Sequence, residues 1–112
     1  MNFPSKVEVW LVDLRGASGH EQKKERPAVV WKDLDHVKMA IVLPFTETLE
    51  RENLAYTYRI TPTPKNGLAE ESIALIFQMR AIDKKRLVKK LGELEEEDIK
   101  SIANLMREML KL

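Results

Sequence analysis

Val7-Glu8-Val9-Trp10-Leu11-Val12 and, beyond a polar gap, Pro27-Ala28-Val29-Val30-Trp31 carry the strongest strand signal in the chain. Both are rich in β-branched and aromatic residues, which suit a pleated surface better than a helix. Ala40-Ile41-Val42-Leu43-Pro44-Phe45-Thr46 reads as a third strand, with Pro44 near its end, where a missing ladder donor is tolerable. Residues 55 to 60 alternate well enough for a fourth. Thr61-Pro62-Thr63-Pro64-Lys65-Asn66-Gly67 reads as a turn, because prolines and Asn-Gly halt regular structure. After Gly67-Leu68 comes the apolar run from Ser72 to Asp83. The 32–36 segment reads as a short turn, and the charged 47–53 segment as a helical turn or an open loop.

The last segment is the clearest helix, about residues 95–111. Ile99, Ile102, Ala103, Met106, Met109 and Leu110 recur at helical spacing and form one apolar stripe. Glu95, Glu96, Glu97 and Asp98 open it and Arg107 and Lys111 close it, which complements the helix dipole at both ends. Core packing is the default role for the stripe, with a dimer contact as an alternative. Several short strands closed by one helix suggest a mainly β chain built on a small curled sheet.

Composition sets limits. With 112 residues the chain suffices for one modest core and not two. It has no cysteine, so neither a disulfide framework nor a thiolate metal site is available, and only two histidines, His20 and His36. No run is long enough to cross a bilayer as a helix and no signal peptide is visible, which points to the cytoplasm. The net charge is +1, so any attraction to nucleic acid must come from local clustering. Lys23, Lys24 and Arg26 make one cluster; Lys84, Lys85, Arg86, Lys89 and Lys90 make another, read as the solvated face of a helix. The charged fraction of 33%, dominated by Lys and Glu, hints at a thermophilic source.

The gap between the first two strands holds Gly19-His20-Glu21-Gln22 and then Arg26-Pro27. An imidazole, a carboxylate and a guanidinium within eight positions are the groups a phosphodiester-cleaving site needs. One removes a proton, one donates a proton, and a cation stabilises charge on the phosphoryl oxygens. The competing reading is an ordinary solvated loop, with Arg26 pairing with Glu21 or Glu25 at little energetic gain.

Taken in order, Trp10-Leu11-Val12-Asp13-Leu14, Gly19-His20-Glu21-Gln22, Arg26-Pro27-Ala28-Val29-Val30, Pro44 with Thr46, Gly67-Leu68, Ser72, and Gln78 with Arg80, Ile82, Asp83 and Arg86 resemble the MazF/PemK/Kid toxin family. These are the endoribonuclease halves of toxin–antitoxin pairs, and the resemblance runs from about residue 6 to residue 112. It implies a single domain over 1–112, with an SH3-like barrel at about 6–83 followed by the C-terminal helix. It further implies a cytoplasmic homodimer, a cognate antitoxin, a single-stranded RNA substrate and no cofactor or metal. The implied reaction is sequence-selective cleavage to a 2′,3′-cyclic phosphate and a 5′-hydroxyl.

Catalytic roles implied by the resemblance fall on Arg26, Thr46, Glu21 and His20. RNA contacts fall on Gln22, Lys23 and Lys24, with Trp31 and Phe77 as base-stacking candidates. Strand aromatics are more often core, and Thr46 would equally serve as a strand-end hydroxyl bonded to backbone. The chain departs from the family pattern in four places, one of them a shorter stretch from Pro27 to Thr46. Phe77 stands where some relatives carry an acid, Lys6-Val7 stands where many carry Arg-Gly, and Lys23-Lys24-Glu25 replaces a glycine-containing loop. The alternative function is a barrel of the same family that has lost catalysis and binds RNA or protein.

Overall fold

A computed structural model describes Pro4, residues 6–14 and residues 25–112. Among the described residues, seven strands and one long helix follow in the order β1 (Glu8–Asp13), β2 (Glu25–Leu34), β3 (Met39–Thr46), β4 (Thr57–Ile60), β5 (Ser72–Leu75), β6 (Arg80–Asp83), β7 (Leu87–Glu93) and α1 (Glu96–Leu110). Short 3-10 turns cover Asp35–Val37, Leu49–Asn53, Ile76–Gln78 and Lys84–Arg86. The strands are joined antiparallel in the order β4-β5-β3-β2-β1-β7, with β6 also paired to β3. The mainly β class and the C-terminal helix are as the sequence predicts. The sheet itself is curled but open, since among the described residues no ladder joins β4 to β7.

The curl has local causes. Trp31 is an extra residue in β2: Val30 faces Val42, yet Lys32 faces Ile41. Two further register shifts interrupt the β1–β7 ladder. Each such bulge bends its strand and increases the twist. The central strands are buried on both faces, which explains their continuous apolar runs. Val29 and Leu43 belong to a main core with Phe45, Ile60, Ile76 and the helix. Ala28 and Val42 belong to a smaller cluster with Val12, Ala40 and Ile82 on the other face.

The helix lays Ile99, Ile102 and Met106 into the main core, and Ala103 is buried beside them in sequence. Burying each large side chain of this kind is worth about 1.5–3 kcal/mol. The stripe is thus largely spent within the chain, and Leu110 at its far end is half exposed. Tyr58 of β4 donates a 2.7 Å hydrogen bond to Asp98 of α1, fastening sheet to helix.

A second device spans the gap between β4 and β7. Asn66 is fully buried in the turn that follows β4. Its Oδ1 accepts from the Thr63 and Leu68 amides, and its Nδ2 donates to the Thr61 carbonyl. The turn lies directly on β7: a Cβ on Gly67 would sit 2.0 Å from the Leu91 carbonyl oxygen, and one on Gly92 2.3 Å from that of Lys65. Gly67 also has φ +70°, a conformation L side chains rarely adopt. Glycine at both positions lets the two backbones meet.

One expectation changes. The basic run at 84–90 is not a helix face: it is a 3-10 turn followed by β7, which pairs with β1. Strand β1 needs a second partner, and that long-range demand overrides the local charge pattern; Leu87 and Leu91 turn partly inward while Lys89 and Lys90 stay exposed. The apolar run from Ser72 to Asp83 forms two strands, β5 and β6. Thr46 faces Ile73 and Phe45 faces Ala74, but Val42 faces Arg80, where an unbroken ladder would bring Phe77. The three residues of the 3-10 turn Ile76–Gln78 account for the slip.

Candidate functional site

That slip has a consequence for the surface. Ile76 stays in the core, and its amide and that of Phe77 both donate to the Tyr56 carbonyl. Phe77 itself is pushed out of the ladder and left 41% exposed. It faces the same concave surface as the start of β2 and the end of β3.

Arg26 lies in β2 opposite Val12 of β1. Across the other edge, β2 and β3 pair Ala28 with Pro44, and continuing that register by two residues sets Arg26 against Thr46. A cleft of about 340 Å3 opens there, lined by Arg26, Thr46, Glu47, Thr48 and Ser72 among others. A contiguous hollow of about 310 Å3 shares Arg26, Thr46 and Thr48 and adds Arg51, Leu75, Phe77 and Gln78. The guanidinium Nε of Arg26 is out of contact with solvent. A charge partly withdrawn from solvent acts through a lower effective dielectric than bulk water.

Thr46 is half buried, and its Oγ1 accepts from the Thr48 amide at 3.1 Å. A hydroxyl has one proton and two acceptor positions. With an acceptor position used by backbone, the Thr46 proton is available to donate into the cleft. Ser72, by contrast, is buried and donates to the Glu70 carbonyl, so its proton is committed to structure.

The remaining site candidates divide. His20, Glu21, Gln22, Lys23 and Lys24 lie outside the described residues. Trp31 does not join the cleft. As the bulge residue of β2 it packs against the main core and lines a separate hollow with Trp10, Val30 and Leu87. Arg51, Thr48 and Gln78 line the cleft without having been singled out as site residues. Arg51 comes from the 3-10 turn Leu49–Asn53, where its sequence signal was masked by neighbouring acids; Gln78 had only its place in the Gln78-x-Arg80 pattern to mark it. Part of the second basic cluster is engaged elsewhere: Lys84 pairs with Asp33 and Asp35, and Lys90 with Glu8 and Glu93.

An arginine and a hydroxyl donor at the ends of two adjacent strands are groups suited to an anionic ligand, and they stand on a small curled sheet followed by a C-terminal helix, which defines the class of fold. The particular family follows from comparison. Residues 5–110 match the model of the PemK-like, MazF-like toxins of type II toxin–antitoxin systems, and the chain belongs to that family. It is 30% identical over 102 residues to the endoribonuclease MazF of Staphylococcus epidermidis, a match covering 88% of this chain and 84% of that protein. Among solved structures, MazF from Deinococcus radiodurans superposes with a TM-score of 0.74 at 18% identity, covering the whole of both chains. The Mycobacterium tuberculosis toxin MazF-mt6 gives a TM-score of 0.69 at 20% identity, covering 94% of this chain and 97% of that one. At these identities the two structures establish a common fold.

Proposed function

We propose that this chain is the endoribonuclease toxin of a type II toxin–antitoxin pair and that it cleaves single-stranded RNA in the Arg26–Thr46 cleft. The observation that carries the assignment of the site is the meeting of Arg26 and Thr46, twenty positions apart, in one concavity beside an exposed aromatic ring. RNA brings its own nucleophile, the ribose 2′-hydroxyl, so no metal-activated water is required. Attack of the 2′-oxygen on the adjacent phosphorus gives a 2′,3′-cyclic phosphate and releases the 5′-oxygen. Arg26 stabilises the extra negative charge on the non-bridging oxygens as it develops. The Thr46 hydroxyl donates to one of the same oxygens. His20 and Glu21 are assigned the proton transfers, as base for the 2′-oxygen and acid for the leaving group. Phe77 offers a face on which an unpaired base stacks, and Gln78 beside it offers an amide to a base edge.

The same reading extends to a single domain over residues 1–112, a cytoplasmic homodimer, and an acidic antitoxin segment that competes with RNA. The partly buried apolar side chains of Trp10, Val30, Trp31 and Leu87 around the second hollow supply surface for a partner copy. Light scattering at micromolar concentration should report a dimer. Antitoxin affinity should fall with salt, because part of the attraction between its acids and Lys23, Lys24 and Arg26 is screened. The function itself is tested by incubating purified protein with single-stranded RNA in EDTA. Cleavage leaving cyclic phosphate ends is expected; cleavage that appears only when Mg²⁺ is restored would refute the mechanism.

A further inference from the structure

Asn66-Gly67 is the sequence in which an asparagine is most exposed to attack by its own backbone, since glycine places no side chain in the way. Asparagine is among the thermolabile residues. In the reaction the Gly67 nitrogen, having lost its proton, bonds to Cγ of Asn66. The Cγ–Nδ2 bond breaks, and the departing nitrogen takes up the proton and leaves as ammonia. Water then opens the cyclic imide at either carbonyl, leaving aspartate or isoaspartate at position 66.

The folded turn opposes each requirement of that reaction. The Gly67 amide proton is held by the Thr63 carbonyl at 3.2 Å, which resists its loss. The Asn66 carboxamide is fixed by three hydrogen bonds, to the Thr63 and Leu68 amides and the Thr61 carbonyl, each at 3.0 Å. Its own amide donates to Thr63 Oγ1 at 3.1 Å. The side chain is fully buried, so water is excluded as well.

The products cannot occupy the same place. Aspartate at 66 would put an unprotonated oxygen against the Thr61 carbonyl, where Nδ2 now donates. An ionised group there would be buried without compensation. Isoaspartate lengthens the main chain by one atom where Gly67 and Leu91 are already in close approach. Damage would spread to the helix, because Thr63 Oγ1 also donates to Glu95 at the start of α1, at 2.7 Å.

We propose that Asn66-Gly67 is a modification site controlled by folding: its conversion to aspartate or isoaspartate is blocked in the native turn, begins when residues 61–68 open, and then prevents the turn from re-forming. Opening of this segment becomes a one-way step in the life of the chain. The rate in the native protein equals the rate in the open state multiplied by the open fraction.

The test is peptide mapping of the full chain after incubation at mildly alkaline pH, with and without denaturing urea, reading isoaspartate at 66. Native protein should form it about a hundredfold more slowly than unfolded protein, as a local opening of ordinary cost requires. Thr63→Ala, which removes one anchor, should raise the native rate about tenfold while leaving the rate in urea unchanged. Asn66→Asp, a direct copy of one product, should lower the melting temperature. Equal rates in native and unfolded wild type would overturn the proposal, as would no reaction in urea. A Thr63→Ala rate equal to wild type would refute control by the turn's hydrogen bonds, and an Asn66→Asp chain as stable as wild type would refute the block on refolding. If Thr63→Ala fails to fold, the comparison on wild type still decides.

Discussion

The cleft at Arg26 and Thr46 and the seam at Asn66 and Gly67 are both built where irregular backbone meets a strand, and they are built oppositely. In the seam, polar capacity is spent internally: the Asn66 carboxamide is bonded at both its oxygen and its nitrogen, and two glycines let main chains touch. In the cleft, Thr46 is oriented by one backbone amide and keeps its proton, while Phe77 is displaced into solvent by a three-residue slip in register. The seam closes the gap that the open sheet leaves. The cleft retains groups able to act on something else.

Substitutions separate the two regions by what they damage. The largest effect is expected at the seam. Gly67→Ala brings a Cβ to 2.0 Å from the Leu91 carbonyl oxygen at a positive φ, and should cost more than about 3 kcal/mol of stability, seen in urea denaturation. Any activity lost should track the unfolded fraction. A fully folded Gly67→Ala protein would dissolve the distinction between the regions.

Thr46→Val deletes one hydroxyl at equal volume and should slow cleavage about tenfold with little change in melting. Unaltered turnover would reduce Thr46 to a strand-end hydroxyl.

Tyr58→Phe should cost about 1 kcal/mol, since it leaves Asp98 without its donor. It also carries a pH signature. Burial first, and the hydrogen bond to Asp98 second, push the Tyr58 phenol above its ordinary value. A raised folded value means stability present while the phenol stays protonated in both states and lost as pH rises from the ordinary tyrosine range toward the folded value. Thermal melts of Tyr58→Phe should lack that part of the alkaline loss.

The smallest effect belongs to Glu8, whose carboxyl is held below the usual range chiefly by the Trp10 indole N–H and also by Lys90. Its contribution is present above the ordinary carboxylate range and lost as pH falls through the folded value. Glu8→Gln should slightly flatten the acid side of the melting profile and leave cleavage unchanged at neutral pH.

Much of the architecture was legible because it rests on local pattern. The first three strands begin or end within a few residues of the apolar runs that predict them, and α1 covers 96–110 where the stripe predicts about 95–111. What escaped depends on distant partners. The Lys84–Lys90 run carries a charge count that suits a helix face, and only the need of β1 for a second ladder makes it a strand. The break at Ile76–Gln78 follows from β3 pairing with β5 at one end and β6 at the other, which no local window contains. Arg26 and Thr46 were visible through the family resemblance, since nothing in their own neighbourhoods joins them. Arg51 was hidden among acids, and Trp31 looked like a stacking residue because a bulge leaves no mark in composition.

The most direct measurement compares Arg26→Ala with wild type in two assays on the same preparations, cleavage of single-stranded RNA in EDTA and thermal melting. A fixed cation beside developing charge is worth a factor of about a hundred or more in rate. At least that loss of cleavage is expected with melting nearly unchanged, and Arg26→Lys should be poor as well, since an ammonium cannot reproduce the planar fork. Cleavage by Arg26→Ala at the wild-type rate, or a loss no larger than its loss of folded protein, would contradict the role given to Arg26.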